Sequence, residues 1–219
     1  MTEKIKDVIR ETDSKKLENR FIEISEIINE LSQNIRETKE RNEKNLALYN
    51  ILKSLSVETY KVLNSLELNE NLAWSTRNLF ETNIILRNIL ENNMIEKWVS
   101  NRLTDEIQLL EGLKSYSNQE IEHTEILNGR IEEIKSYAIE NSINLVGHTD
   151  MRTLSKNVNL EEEYLGFYKF YSKYVHPTSW SINVDDETKN SNEFKNILLI
   201  NNQKYLIDSV ERIKKYFNE

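Results

Sequence analysis

The 219-residue sequence contains no cysteine. That absence excludes disulfide bonds, zinc sites built on thiolates and enzymes that use a cysteine nucleophile. It also fits a protein of the reducing cytoplasm, where disulfides are rare. No pair of histidines stands at helical metal-ligand spacing either, so the sequence predicts no metal site.

Glycine and proline are scarce, with four and one residues respectively, against usual shares of about 7% and 5%. Tight turns and sheet corners depend on these two residues, so we expect long helices with few connections. The shortage of glycine also excludes the phosphate-binding loop and the dinucleotide-binding fingerprint, and no cofactor is predicted. No segment alternates apolar and polar residues as a strand does. The sequence therefore predicts an all-α helical bundle.

Long apolar runs are missing as well. The first residues, MTEKIKDVIRETDSKK, lack the apolar core of a signal peptide. No run approaches the roughly 20 residues that a membrane span needs, so we expect a cytoplasmic protein with no membrane contact. The net charge of −8 opposes non-specific binding to nucleic acid, which depends on cationic contacts with phosphates. A local basic pocket remains compatible with that charge.

The N-terminal part shows the clearest periodicity. Apolar residues recur at alternating spacings of four and three, as in a coiled-coil seam, at Leu17, Phe21, Ile24, Ile28, Leu31 and Ile35. The seam lapses through residues 38–45 and resumes at Tyr49, which indicates either a helix-loop-helix that bends near residues 40–45 or one long helix. The seam packs within the chain or joins two chains. We therefore predict a helical or coiled-coil extension over residues 1–66 and a bundle over 67–219.

Later segments predict further helices, over residues 46–66, 72–90, 94–116, 118–143, 151–156, 160–176 and 192–217. The helix over 72–90 is apolar on nearly every side, which is typical of a buried central helix. Ser117 and Glu120 have the spacing of a capping box before the helix over 118–143. Pro177 disfavours helical backbone at the residue before it, so the preceding helix should end near His176. The polar run NVDDETKNSN is predicted to be a loop or a mobile flap.

A stripe of polar side chains lies on the helix before Pro177. Its members are four residues apart, at Tyr164, Tyr168, Ser172 and His176. Histidine exchanges protons near neutral pH and is the usual general acid or base. A tyrosine-rich amphipathic helix also packs well, however, and its terminal histidine can serve merely as a hydrogen-bonding group. His123 and His148 stand alone and are expected at the surface.

A charged pair interrupts the apolar central helix. Arg77 and Glu81 are four residues apart and surrounded by Trp74, Leu79, Phe80, Ile84 and Ile85. Burying charge is costly unless the charges pair with each other or with a ligand. Such pairs occur both in functional sites and in purely structural positions. If this helix packs beside the His176 helix, the charged pair and the histidine stripe converge on one pocket.

These two motifs resemble a family of bacterial helical domains of unknown function. Its members pair an early Arg-x-x-x-Glu helix with a late Tyr-x-x-x-Ser-x-x-x-His-Pro segment. The resemblance covers roughly residues 72–180, and the matching positions are Arg77, Glu81, Tyr168, Ser172, His176 and Pro177. That family is in turn distantly similar to the HEPN superfamily of helical bundles. Many HEPN proteins are dimeric, metal-independent ribonucleases of toxin–antitoxin and antiviral systems.

The resemblance implies a metal-independent ribonuclease that acts as an effector. HEPN nucleases carry an arginine a few residues before the histidine, but here Ser172 and Lys173 occupy those positions, so Arg77 would supply the guanidinium from another helix. His176 would act on a ribose 2′-hydroxyl, and Arg77 would stabilise the phosphate. Ser172 or Lys173 would assist these two residues. Glu81 would hold Arg77 in place, and Tyr168 would line the pocket or stack on a base.

The implied partners are RNA and a second copy of the chain, or a partner protein bound through helix packing. The alternative is a non-catalytic helical module that binds a partner or a small ligand. The negative net charge and the missing arginine–histidine spacing favour this alternative.

Overall fold

The computed structural model describes residues 14–38, 42–116 and 121–218. Regular structure in these ranges is entirely helical, which confirms the predicted all-α class. In chain order the helices are α1 (Ser14–Thr38), α2 (Glu43–Leu63), α3 (Asn69–Glu91), α4 (Ile95–Tyr116), α5 (Ile121–Glu140), α6 (Met151–Asn157), α7 (Glu161–Val175), α8 (Ser179–Asn183), α9 (Asp186–Lys189) and α10 (Asn192–Asn218). No helix in the described ranges is both long and apolar enough to cross a membrane.

The chain forms two compact units. One unit contains the helices up to Asn92 together with those from Met151 onward, and the other spans Asn93–Asp150. Helices α1 and α2 therefore share a unit with α3, α7 and α10. The boundary predicted between residues 66 and 67 does not coincide with a limit of either unit.

The N-terminal seam packs inside the chain. Helix α1 lies against α2 and α10. Five of the six seam residues are buried, namely Leu17, Phe21, Ile24, Ile28 and Ile35. Helix α1 ends at Thr38, and α2 begins at Glu43. Asn42 is the N-cap of α2: its backbone is extended, and its side-chain oxygen accepts a hydrogen bond from the Asn45 amide at 2.8 Å. Of the two readings of this region, the helix-loop-helix is correct.

Helix α3 is the centre of the first unit. It packs against α2, α6, α7 and α10. Its fully buried apolar side chains include Leu72, Leu79, Phe80, Ile84 and Leu86. Buried polar residues on the same helix are hydrogen-bonded, for example Thr76 to the Leu72 carbonyl at 2.6 Å and Asn88 to the Leu154 carbonyl at 3.0 Å. The prediction of a buried central helix over 72–90 is confirmed.

The chain reverses after α7. His176 is the C-cap, with extended backbone (φ −117°, ψ 145°) of the kind that a following proline requires. Thr178 then opens α8 through a capping box with Ser181. The polar run predicted as a loop or flap contains α9, whose first turn is capped by the Asp185 carboxylate at 2.7 Å from the Thr188 amide. The prediction of a loop is wrong at residues 186–189, where side-chain caps rather than apolar periodicity support a short helix.

The second unit contains α4, α5 and the segment that follows α5. Its apolar core consists of Leu103, Ile107, Ile131, Ile134 and Ala138. The Ser100 hydroxyl donates to the Asn144 carbonyl at 2.7 Å and accepts from the Val146 amide at 2.9 Å, which fixes the segment after α5. Helix α5 ends at Glu140, three residues earlier than predicted. The capping box proposed at residues 117 and 120 lies outside the described residues.

Candidate functional site

The packing of α3 against α7 brings together two charged or titratable groups that are 99 residues apart in sequence. The Arg77 Nη1 atom lies 3.2 Å from the His176 Nε2 atom. A guanidinium group has donors only, so His176 Nε2 must accept this hydrogen bond. As a hydrogen bond, this contact requires the tautomer that carries its proton on Nδ1. His176 is exposed, so this pair lies at the surface end of the α3–α7 interface.

Two further side chains hold Arg77 in place. Its Nε donates to Glu81 Oε1 at 2.9 Å, and both side chains are about three-quarters buried, with 21% and 25% of their surface exposed. The guanidinium carbon lies 5.2 Å from the centre of the Tyr168 ring, in the geometry of a cation–π contact. Glu81 and Tyr168 thus orient the guanidinium toward His176.

The environment of Arg77 also fixes its charge. Burial alone would lower the pKa of the guanidinium. The hydrogen bond and negative charge of Glu81 oppose that effect, with smaller contributions from Tyr168 and Tyr164, and the pKa lies above its ordinary value. Arg77 is therefore a permanent cation at this position.

Aromatic contacts fix α7 on α3. Tyr164 is buried, with its ring centre 6.1 Å from that of Phe80 and 5.3 Å from that of Tyr168. Phe80 in turn stacks on Tyr205 of α10 at 4.5 Å. Rings in these arrangements add to the energy of burial. The first half of the tyrosine stripe therefore packs α7 against α3, and this packing positions the residues at the other end of the stripe.

Ser172 and Lys173 make contacts other than a hydrogen bond to Arg77 or to the His176 ring. The Ser172 hydroxyl donates to the backbone carbonyl of Tyr168 within its own helix. The Ser172 carbonyl accepts from the His176 amide at 3.2 Å, which closes the last turn of α7. Ser172 thus has a backbone role in holding His176. Lys173 is exposed and faces a neighbouring cavity.

That cavity has a volume of about 540 Å³ and opens beside His176. It is formed by the start of α3, the end of α7 and the α8–α9 segment. Its lining includes charged, titratable and aromatic side chains, among them Glu70, Lys173, His176, Trp180, Asp186 and Lys189. His176 belongs both to the cavity and to the pair with Arg77, so the two features adjoin. Sequence reasoning missed Trp180, Glu70 and Lys189, although Trp180 stands in the segment that carries the histidine motif.

A buried asparagine anchors the α9 wall of this cavity. Asn69 is fully buried, and its side-chain amide donates to the carbonyls of Lys189 at 2.8 Å and Ser191 at 3.2 Å. The Tyr174 hydroxyl also donates to the Lys189 carbonyl, at 2.9 Å. Burial raises the pKa of Tyr174 to about 12, so this hydroxyl keeps its proton at neutral pH. The α9 segment is therefore anchored to both α3 and α7.

A second polar cluster lies between α3 and α10. Asp208 accepts from Asn83 at 2.7 Å, from Arg87 at 2.9 Å and from Arg212 at 2.7 Å. Burial alone would raise the pKa of Asp208. The hydrogen bonds from Arg212 and Asn83 and the two positive charges outweigh burial and hold the pKa below its ordinary value. Every strong donor here has a protein partner, which is the pattern of a structural network.

The other two histidines belong to the second unit. His148 is 57% exposed and 3.9 Å from Asp105 in the second unit. His123 is also exposed, as predicted for both. No group of three or more histidine, aspartate or glutamate side chains among the residues that the structure describes could hold a metal ion.

Comparison with known proteins gives one match. A family model described as a family of unknown function (DUF5677) matches residues 62–195. This range contains every residue of the predicted site and extends beyond residues 72–180 at both ends. It confirms the resemblance to a family of unknown function. No curated protein and no solved structure matches the chain.

Proposed function

Because the chain belongs to the DUF5677 family of unknown function, its activity has to be inferred from the site, and we propose that it is a metal-independent, HEPN-like ribonuclease. In the cell it acts as an effector of bacterial defence or of a toxin–antitoxin pair in the cytoplasm. The observation that supports this proposal is the 3.2 Å approach of Arg77 Nη1 to His176 Nε2 at an exposed end of the α3–α7 interface. The resemblance to HEPN nucleases implied that a remote arginine supplies the guanidinium, and Arg77 fits that role.

The reaction follows from the chemistry of this pair. The substrate phosphate binds Arg77 and draws its guanidinium from the imidazole, which frees the Nε2 lone pair of His176. His176 then takes the proton of the ribose 2′-hydroxyl, and the 2′-oxygen attacks the adjacent phosphorus. The bond to the 5′-oxygen breaks, and that oxygen takes a proton from water. The hydroxide left behind takes the proton from His176, which restores the neutral base. The products are a 2′,3′-cyclic phosphate and a 5′-hydroxyl end.

The neighbouring residues support these steps. Arg77 stabilises the negative charge that builds up on the phosphate oxygens, and Glu81 keeps the guanidinium in position. Tyr168 supports Arg77 from its ring face. Ser172 transfers no proton, because its hydroxyl is bonded to the Tyr168 carbonyl. Lys173 assists by attracting the strand from its exposed position beside the cavity.

The test uses purified protein and a fluorescently labelled single-stranded RNA. Removing a general base costs about 10²–10⁴-fold in rate and removing an oxyanion donor about 10²–10³-fold. We expect losses of that size for His176→Ala and Arg77→Ala. The matched controls are His148→Ala and Arg130→Ala, which change exposed residues of the second unit. Induced expression in bacteria should arrest growth and fragment total RNA for the wild type and the controls alone.

Cleavage that persists unchanged in both site variants, at equal folding, would refute the assignment. Absence of cleavage by the wild type would also count against it, provided that RNA bearing each of the four bases has been tried.

A second candidate function is a non-catalytic module that binds a small ligand. The observation that favours it is the 540 Å³ cavity, which adjoins a histidine whose Nε2 is already hydrogen-bonded. In that case His176→Ala and Arg77→Ala lower the melting temperature and leave RNA intact at every enzyme concentration. Cleavage and melting curves on the same preparations distinguish the two functions.

A further inference from the structure

The cavity beside His176 has the dimensions of a small-ligand site. Its volume of about 540 Å³ falls within the range of roughly 300–1,000 Å³ that is usual for such sites. Its walls come from α3, α7 and the α8–α9 segment, which the Asn69 amide and the Tyr174 hydroxyl hold together. The Ser181 hydroxyl adds a bond of 3.1 Å to the His176 carbonyl. A ligand therefore meets walls that are already fixed, which lowers the entropic cost of binding.

The charged groups that line the cavity are balanced. Lys173 and Lys189 are positive, and Glu70 and Asp186 are negative. Lys189 has 23% of its side chain exposed and lies 3.9 Å from Asp186, which is 94% exposed. A bare anion or a bare cation would meet repulsion from half of these groups. The lining instead suits a ligand that carries hydrogen-bond acceptors or negative charge at one edge and N–H donors at another.

An aromatic ring provides an apolar contact surface in the same cavity. Trp180 lines it and packs against Tyr174 with ring centres 5.3 Å apart and against Phe194 with centres 6.4 Å apart. These contacts hold the indole ring without burying it fully. Tryptophan rings held in this way are typical stacking platforms for the bases of single-stranded nucleic acids.

Resting on the proposed function, we propose that this cavity binds a guanine base of the RNA strand, next to the phosphate held by Arg77 and His176. Guanine presents two adjacent acceptors, N7 and O6, which a lysine recognises, and Lys189 lines the cavity. It also presents two adjacent donors, N1–H and N2–H, which match the two oxygens of one carboxylate. Neither adenine, cytosine nor uracil presents both pairs. Trp180 stacks on the base, Glu70 accepts from its donor edge, and Lys173 attracts the phosphate.

The test measures binding separately from cleavage. The 3′- and 5′-monophosphates of guanosine, adenosine, cytidine and uridine are titrated into wild-type protein by calorimetry. We expect a guanosine monophosphate to bind about tenfold more tightly than the others. Trp180→Leu should weaken its binding about tenfold or more, since stacking supplies much of the affinity. Glu70→Gln replaces one acceptor oxygen with a donor group and should remove the preference for guanosine.

Two features make this experiment decisive. Glu70 is an exposed residue, so Glu70→Gln should fold normally even if Trp180→Leu does not. The matched control is Trp98→Leu, which changes a half-buried tryptophan of the second unit that does not line the cavity, and it should bind guanosine monophosphate as the wild type does. Equal binding of all four bases, no binding at millimolar concentration, or a preference that survives Glu70→Gln would each overturn the guanine assignment.

Mapping of the cut sites separates this inference from the proposed function. Cuts clustered next to guanosine, and redistributed in Glu70→Gln, support both. Cuts spread evenly over the four bases in both proteins leave the ribonuclease in place and overturn the guanine subsite. Selective binding of guanosine monophosphate by a protein that cuts no RNA leaves the nucleotide site in place and overturns the ribonuclease.

Discussion

Replacing Asn69 with alanine tests how the cavity wall is built. The Asn69 amide is fully buried and donates two hydrogen bonds to backbone carbonyls of the α9 segment. Both carbonyls keep another partner in the variant, because Lys189 still accepts from the Tyr174 hydroxyl and Ser191 from the Lys195 amide. Neither backbone carbonyl is left unpaired, and the Asn69 Oδ1 atom is buried with no hydrogen-bond partner to lose among the described residues, so the cost reduces to two hydrogen bonds and a small void.

The magnitude follows from these terms. Two hydrogen bonds contribute about 1 kcal/mol each, and the void left by the amide adds a fraction more. We expect Asn69→Ala to lower the free energy of unfolding by about 2–3 kcal/mol. For a cooperative unit of roughly 150–250 residues, that loss lowers the melting temperature by about 4–12 °C. Asn69→Asp should be worse at neutral pH, because it places a negative charge against the same two carbonyls.

Thermal melting and hydrogen exchange measure the two consequences. Asn69→Ala should speed amide exchange across residues 185–191 far more than in the centre of α3. The matched control is Asn183→Ala, which removes an exposed amide bonded within α8 and should change the melting temperature by little. A variant at position 69 that melts within about 1 °C of the wild type, with unchanged exchange in this segment, would refute the assignment of Asn69 as its anchor.

Further predictions concern charge, pH and assembly. Glu81→Gln keeps a hydrogen-bond acceptor for Arg77 but removes the negative charge at position 81. The free energy of unfolding, measured in urea titrations, should fall by about 1 kcal/mol, and RNA cleavage should slow about tenfold. The pKa of Asp208 is lowered in the folded protein, so its ionised carboxylate stabilises the fold. The free energy of unfolding of the wild type should therefore exceed that of Asp208→Asn by its full margin above about pH 4, and this margin should vanish as the pH falls through the folded-state pKa. The pKa of Tyr174 is raised to about 12, so the wild type should lose stability relative to Tyr174→Phe as the pH rises from about 10 to 12, measured in the same titrations. Light scattering after size exclusion should give twice the chain mass if the proposed homodimer forms, and a single chain mass would contradict it.

The long helices could be predicted because their signals are local. Apolar periodicity marks α1, α3 and α10, and a single proline marks the end of α7 at His176. Helix α9 escaped prediction because its four residues are polar and carry no such pattern. Its position depends on Asn69, which lies 120 residues earlier in the chain than its partner Lys189. No local window of sequence contains that contact.

Only the local contacts of the candidate site could be predicted from the sequence. Arg77 and Glu81 are one helical turn apart, so their ion pair follows from spacing. The contact of Arg77 with His176 depends on how α3 packs against α7, and from the sequence this packing is only a condition under which the two motifs converge. The four-residue spacing of the stripe does not reveal that the Ser172 hydroxyl donates to the Tyr168 carbonyl within the helix. The cavity has no signal in the sequence, because it lies between the ends of several segments.

The 99-residue separation of Arg77 and His176 has a consequence for the synthesis of the protein. A ribosome releases α3 long before α7, so the arginine emerges into solution with no histidine to meet. Even after α7 appears, α3 still lacks α10, which packs extensively against it and completes the unit. A nascent chain therefore carries the two groups in a separated state. Truncated products that end before residue 176 lack the pair, and the pair can assemble only after translation has passed that point.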